Sequence, residues 1–486
     1  MLDALICEKA RLARDPRFDG LFFTGVLSTG IFCRPICPAP QPKAANVVYF
    51  PSAAAAAEAG LRPCLRCRPE AAPGTPAWNG TSATVARAMH LIGQGALNNG
   101  NVEALAARLG LGSRQLRRLF KQHVGASPGA MANTQRVLFA KKLLVETQLP
   151  ITQIAFACGF GSPRRFNAVF RKTYRQSPSA FRRQAPLTFS GAHFQCRLTL
   201  PFRPPFSWER MLGFFRSRAI PGVECADANS YRRTILVEGG IGVIHVYPPR
   251  SGHHLWLEVT LPDSRGLMRV VERVRRMFDL DANMEVIQRN LAADHRLAPL
   301  LEQLDGMRLP CAWDCFETAV RAIVGQQVSV KAARTVLGRI VCQAGTMLAN
   351  NDHAGLTHCF PTAAAVATAD LRGLGLSARR RGCLQELART IDSDPTFLEV
   401  GGSLDDFVLR LTALPGIGPW TAHYIALRGS GEPDAFPAGD LGLAQALSEN
   451  GTRPGYRRLM ALAERWRPWR GYAAIYLWAA NALQSK

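Results

Sequence analysis

Acidic side chains are scarce in this chain. Its 486 residues carry 36 Asp and Glu against 59 Lys and Arg, a formal net charge of +23. The deficit is concentrated, because between residues 81 and 185 only Glu103 and Glu146 oppose 16 basic side chains, a local +14. A balance this one-sided is the electrostatic footprint of a polyanion binder. Long apolar runs are missing too: nowhere do about 18 apolar residues follow one another, which argues against a membrane-spanning helix. The opening MLDALICEKARLARD scatters charges among its apolar residues, so it has no signal-peptide core. With no lipidation signal and no basic amphipathic anchor, the charge points to nucleic acid rather than a membrane. The expected location is the cytoplasm, in association with the nucleoid. Thirteen cysteines in a reducing compartment are metal ligands, reactive thiols or core residues before they are disulfides.

The length suggests roughly three or four domains. Seams rich in Pro, Gly and Ser, or turn-like, lie at PEAAPGTPAWNGTS (69–82), RRQAPLTFSGAH (182–193) and LEQLDGMRLP (301–310). They divide the chain into units at 1–78, 81–185, 190–305 and 306–486. The fold class expected is multidomain α+β: a small four-cysteine zinc domain, an all-α double helix-turn-helix, an α+β (TBP-like) domain and an all-α helix-hairpin-helix domain. The run SAAAAAEAG (52–60) reads as a short helix ending at Gly60.

The second unit contains an internal echo. LRRLFKQHVGASP places Leu116, Leu119, Phe120, Ser127 and Pro128 fifty positions before Phe166, Val169, Phe170, Ser177 and Pro178 of FNAVFRKTYRQSP. In each copy the i, i+3, i+4 apolar spacing defines one buried helix face. Arg114, Gln115, Arg117 and Arg118, or Arg164, Arg165 and Asn167, are left facing outward. Upstream of each lies a short amphipathic stretch, VEALAARLG or ITQIAFACG, closed by Gly110 or Gly159. Helix, glycine turn, helix with a polar outer face is a helix-turn-helix, here duplicated. Its outward residues are candidate contacts to double-stranded DNA, and phosphate contact is the default for any single arginine.

The third unit alternates. RRTILVEGGIGVIHVYP brackets a Gly-Gly turn with β-branched residues, HLWLEVTL keeps a period of two, and GLMRVVERVRRMFDL changes to helical period. The fourth unit is helical with short turns. In it, Ser403 and Asp406 form a capping-box pattern before Phe407, Val408 and Leu411, then LPGIG breaks the helix and Pro419 opens the next. That is a helix-hairpin-helix pattern, whose turn at Gly416 and Gly418 presents backbone N–H groups to phosphate; an ordinary αα-hairpin is the alternative.

Cys33, Cys37, Cys64 and Cys67 stand as C-x3-C, 26 residues, C-x2-C. Two close thiolate pairs suit one tetrahedral zinc ion, and zinc keeps such thiols deprotonated. Two buried thiol pairs or disulfides are the alternative.

GLFFTGVLSTGIFCRPICPAP and LRPCLRCRPE resemble the N-terminal domain of the bacterial Ada adaptive-response family, and the duplicated helix-turn-helix resembles the AraC-type domain that follows it there. The resemblance spans about residues 1–185. It implies that Cys33 takes the methyl group from a methylphosphotriester in DNA, with Cys37, Cys64 and Cys67 completing the zinc site. Promoter DNA, and RNA polymerase with it, become expected partners. The PCHR setting of the family's guanine methyltransferase is absent from this sequence.

From about residue 194 onward the chain resembles AlkA-type 3-methyladenine DNA glycosylases, through MLGFFRSRA, RAIVGQQVSV, LPGIGPWTAHYIALRG and ERWRPWRGYAAIYLW. Asp440, read locally, is the N-cap of the helix that follows it; the resemblance makes it catalytic as well, and a helix N-terminus suits a carboxylate. The resemblance further implies a flipped-base pocket of Phe214, Trp420, Tyr424 and Trp478, although Trp420 and Trp478 are equally readable as core. It puts Gln327 where a relative wedges leucine into the duplex. Trp420 stands where bifunctional relatives carry lysine, so strand cleavage is not expected. No cysteine follows Cys383, so no iron–sulfur cluster is expected. The implied activity is monofunctional hydrolysis of the N-glycosidic bond of alkylated purines, 3-methyladenine and 7-methylguanine in type. A transcription regulator whose glycosylase-like half is an inactive DNA-binding arm is the competing reading.

Overall fold

The computed structural model describes residues 2–69, 72, 83–98, 100–182, 194–348, 355–449 and 451–484. The seams read at 69–82 and 182–193 fall almost wholly outside the described residues.

The N-terminal unit is built on a four-stranded sheet, ordered β3-β1-β2-β4, from β1 (Phe23–Val26), β2 (Ile31–Cys33), β3 (Val47–Phe50) and β4 (Arg62–Pro63). β2 and β4 run parallel, pairing Phe32 with Pro63. Cys33 and Cys64 therefore emerge side by side at the same end of the sheet. The alanine run forms the helix Ala53–Glu58, capped by the Ser52 hydroxyl; of its four buried alanines Ala53 and Ala56 pack on the sheet and Ala54 on the helix-turn-helix core.

In the second unit both helix pairs form as the echo requires: Val102–Arg108 with Ser113–His123, and Ile151–Ala157 with Pro163–Tyr174. Gly110 (φ 69°) and Gly159 (φ 76°) make the left-handed turns that a Cβ would strain. Leu116, Phe120, Phe166 and Phe170 are fully buried. A long helix, Pro128–Glu146, joins the two copies. It buries residues around most of its circumference, Lys141 and Lys142 included, so it lacks the one-sided stripe by which helices are read from sequence.

The third unit is a five-stranded antiparallel sheet in the order β5-β9-β8-β7-β6. Its strands are β5 (Phe194–Pro201), β6 (Glu224–Ala226), β7 (Tyr231–Val237), β8 (Gly240–Tyr247) and β9 (His254–Leu261). Gly239 and Gly240, at φ 93° and 139°, turn β7 into β8. The second helix-turn-helix copy shares a core with this sheet, Phe166 and Phe170 lying in the same cluster as Leu198 and Val259.

The seam at 301–310 does not divide two cores. Helices Met284–Leu291 and Ala298–Gln303 place Ile287, Leu301 and Leu304 in one cluster with Leu384, Phe407 and Tyr472 of the C-terminal helices. Leu309 joins the same cluster, so of LEQLDGMRLP only Glu302, Gln303 and Asp305 face outward, while Arg308 is buried. The packing boundary lies instead just after the helix Leu267–Met277. Sheet and helical unit are pinned across it by a buried ionic knot: Arg233 to Glu317 at 2.6 Å and Arg321 to Glu224 at 2.5 Å.

Candidate functional site

The strand register brings the four cysteines together. Among the described residues, Cys33, Cys37, Cys64 and Cys67 form the one cluster able to hold a metal, their sulfurs all within 4.8 Å of one another. A Zn–S distance of about 2.3 Å puts tetrahedral sulfurs roughly 3.8 Å apart, so the cage fits zinc. The four are not equivalent. Backbone N–H groups donate to three of them: Arg34 to Cys67 Sγ at 3.3 Å, Arg66 to Cys64 Sγ at 3.4 Å, and Ala39 to Cys37. Among the described residues Cys33 receives no such donor, and it is half-buried where Cys64 and Cys67 are buried. A sulfur without N–H donors keeps more of its electron density for attack. The Arg34 guanidinium, beside Cys33, is held by the Asp19 carboxylate and donates to Cys67 O at 3.0 Å.

On the helix-turn-helix units, Arg114, Gln115, Arg117, Arg118, Arg164 and Arg165 are exposed and Asn167 is half-buried. Arg117 is paired with Glu103 at 2.7 Å; the others remain open for DNA.

The hairpin sits between helices Leu404–Thr412 and Pro419–Ile425. Ser403 caps the first, accepting from Asp406 N at 3.0 Å and donating to its carboxylate at 2.6 Å. Gly416 turns at φ 93°, and beyond its own chain neighbours no heavy atom lies within 4 Å of where a Cβ on Gly418 would sit, so the turn is open on that side. The second helix runs into a π-helical segment, Ala426–Ser430.

Behind the hairpin opens a pocket of about 520 Å³ whose lining includes Phe214, Trp420, Tyr424, Asp440 and Trp478. Asp440 caps the helix Leu441–Ala446, and its Oδ1 accepts from Gly442 N (2.8 Å), Leu443 N (3.1 Å) and Trp478 Nε1 (2.8 Å). Its Oδ2 accepts from Trp420 Nε1 at 3.0 Å. Trp420 and Tyr424 stack at 5.3 Å and 23°, with Trp478 edge-on to Tyr424. Both tryptophans are half-buried, and Trp478 packs against the C-terminal core while its indole N–H faces the pocket carboxylate. A carboxylate oriented by four donors beside a flat aromatic floor can stabilise a cation forming at a sugar carbon.

Gln327 is exposed at the turn between helices Cys315–Val324 and Val330–Ala344, in a left-handed backbone at φ 55°. Its neighbour Gln326 ties that turn to the hairpin, donating to Gly416 O at 3.1 Å and Thr421 Oγ1 at 3.2 Å. Sequence reasoning passed over Gln326 and two pocket arginines, Arg218 and Arg428. Arg218 lies one helical turn after Phe214 and was legible at that spacing, whereas Arg428 and Gln326 are distinguished only by partners on other elements.

Three families match in chain order: the metal binding domain of Ada over residues 6–70, a helix-turn-helix domain over 105–184 and the AlkA N-terminal domain over 197–314. A Mycobacterium tuberculosis protein named "Probable bifunctional transcriptional activator/DNA repair enzyme AlkA" is 42% identical over 97% of this chain and 95% of its own length. This chain belongs to that bifunctional AlkA family. The two halves of the family also match separately. DNA-3-methyladenine glycosylase 2 of Escherichia coli is 32% identical over 59% of this chain and 98% of its own length. The bifunctional transcriptional activator/DNA repair enzyme Ada of the same organism is 34% identical over 35% of this chain and 47% of its own length. Among solved structures, the 3-methyladenine DNA glycosylase of Archaeoglobus fulgidus covers 59% of this chain and 99% of its own, with TM-score 0.53 at 26% identity. In this family member the four-cysteine cage is a site for one zinc ion. Among the described residues no helix is long and apolar enough to cross a membrane.

Proposed function

We propose that the chain joins a DNA glycosylase for alkylated purines to a methylphosphotriester sensor that regulates transcription. The observation that carries the first half is Asp440, fixed by two backbone amides and two indole N–H groups at the edge of an aromatic pocket. An N3- or N7-alkylated purine is already cationic and leaves with little help, so one carboxylate suffices where O-glycosidases use two. The base is flipped out, Gln327 fills the gap it leaves, and the hairpin at Gly416 and Gly418 grips the phosphates. Phe214, Trp420, Tyr424 and Trp478 hold the base by stacking. As the C1′–N bond breaks, Asp440 stabilises the positive charge on the sugar, and water completes hydrolysis. Base release from methylated duplex DNA tests this directly: wild-type protein frees 3-methyladenine and 7-methylguanine, and Asp440→Asn frees neither. Absence of release by wild type would leave the half as a DNA-binding arm.

The second half rests on the asymmetry of the cysteines. Zinc, when bound, keeps its four sulfur ligands as thiolates. Cys33, the one without a backbone donor, attacks the methyl carbon of a phosphotriester; the S–C bond forms as the C–O bond breaks, and the phosphate leaves as an ordinary diester anion. The zinc site then loses one unit of negative charge, which strengthens its attraction to DNA phosphate. Arg114, Gln115, Arg118, Arg164, Arg165 and Asn167 are the contacts we assign to promoter DNA, with Arg117 freed from Glu103 on binding. Activation of transcription adds RNA polymerase as a partner, and with it the nucleoid as the place of action. Mass spectrometry after exposure to methylphosphotriester DNA is expected to find one added methyl, on Cys33; a methyl on another cysteine, or none, removes the assignment.

A further inference from the structure

The base pocket carries more positive charge than a site for cationic purines needs. Arg218 ends the helix Trp208–Arg218 with its guanidinium carbon 4.2 Å from the centroid of the Phe214 ring. Arg428 places its own at 4.5 Å from the same ring and 5.3 Å from that of Trp478. Both line the pocket that holds Asp440. Among the described residues neither has a carboxylate within ion-pair distance. Arg218 donates to the hydroxyl of its chain neighbour Ser217 at 2.9 Å. Arg428 donates to Pro310 O at 2.9 Å and shares a side-chain hydrogen bond with Tyr424, and its Nε is buried without a partner. It projects from the π-helical segment Ala426–Ser430, a local widening often found at functional sites. Burial pushes Arg428 down to about 10, which still leaves it charged at neutral pH.

We propose, resting on the glycosylase reading above, that Arg218, backed by Arg428, is a specificity-determining residue that adapts the pocket to neutral damaged bases presenting a hydrogen-bond acceptor. The chemistry separates the two substrate classes. A cationic alkylpurine leaves as a neutral base but still carries positive charge on binding and in the transition state, so measured from the free DNA a nearby guanidinium opposes it. A neutral base takes the electron pair of the C1′–N bond and leaves with developing negative charge, until the proton of the water that adds its hydroxyl to C1′ reaches it. A guanidinium against the acceptor edge offers charge-assisted hydrogen bonds to that developing charge. The same guanidinium repels a base that arrives as a cation. Asp440 serves both classes, since the sugar becomes positive in each.

The test is base release at enzyme concentrations well below half-saturation, so that the rate includes binding, from two duplexes of identical sequence, one carrying hypoxanthine, neutral with a carbonyl acceptor, and one carrying 7-methylguanine, a cation. The readout is the ratio of the two rates in wild type, Arg218→Gln and Arg218→Lys, with thermal melting of each variant as the folding control. Arg218→Gln is expected to lower the hypoxanthine-to-7-methylguanine ratio at least tenfold, and Arg218→Lys, which keeps the charge, to recover part of it. An unchanged ratio, with both rates falling together, overturns the proposal, as does wild-type release of 7-methylguanine with none of hypoxanthine. Wild-type release of neither base removes the glycosylase reading itself, and this proposal with it.

Discussion

Trp420 is the residue whose role changes most between sequence and structure. Its position after a hairpin is compatible with a core tryptophan, yet its indole N–H reaches Asp440 Oδ2 at 3.0 Å while its ring stacks on Tyr424. Trp420→Phe keeps an aromatic surface and removes one of the four donors that orient the carboxylate. Loss of one such hydrogen bond, about 1 to 1.5 kcal/mol, is expected to slow single-turnover base release roughly tenfold with DNA affinity nearly unchanged. His90 carries a different kind of prediction. It is half-buried on the helix Ala83–Gly93, with Gln94 Nε2 at 2.7 Å and Arg276 Nη1 of the glycosylase half at 3.3 Å from its Nε2. Burial, then the nearby Arg276 and Arg273, push it down to about 3. Its folded value lies below the unfolded one, so its contribution to stability is complete above about pH 6.5 and is lost as pH falls toward 3. At pH 5 the loss is about 2 kcal/mol. Thermal melts between pH 7 and 5 are expected to show this slope, and His90→Asn to flatten it. None of this is visible in the string AMHLIG, where His90 is one more position on a helix.

Elements were legible where their ends are chemically marked. Ser52, Asn101, Ser162 and Ser403 each cap a helix through the side chain, as their positions before apolar periodic segments suggest. The helix Pro128–Glu146 was not foreseen, although Ser127 and Pro128 announce it, because burial on most sides erases the periodic stripe. The hairpin is the element where local sequence and function meet. Gly416 adopts φ 93°, and a Cβ there would lie 3.0 Å from the Cys383 side chain. Gly416→Ala is expected to cost about 1 to 3 kcal/mol through the left-handed backbone alone. By tilting the turn away from the phosphates it should also weaken binding to undamaged duplex DNA. A melt and a fluorescence-anisotropy titration check the two effects separately.

At the scale of the whole molecule the units are bolted together through Glu146. This carboxylate pairs with Arg68 (3.0 Å), the residue after the zinc ligand Cys67, and with buried Lys142 (2.9 Å) on its own helix. It also accepts from Thr199 N of β5 at 3.1 Å. Close by, Lys141 donates to Cys64 O at 3.3 Å, and Arg203 donates at 2.7 Å to the backbone O of Asp19, whose carboxylate holds Arg34 beside Cys33. Glu146→Ala strands Lys142, already pushed below its usual value by burial. The expected cost is about 3 to 5 kcal/mol, with the N-terminal unit released first in limited proteolysis; Glu146→Gln, which keeps an acceptor, should lose less. The two cysteine pairs, the duplicated helix-turn-helix, the hairpin and Asp440 as a helix cap were determined by the sequence itself, because each depends on residue types at short spacing. The tertiary structure alone decided which sulfur lacks a donor, that helices 284–303 join the C-terminal core, and that Arg428 comes to the ring of Phe214. The physical reason is distance along the chain: a local pattern reports what a segment does with its own backbone, whereas charge against a ring, or a carboxylate between three units, exists only once remote segments are packed.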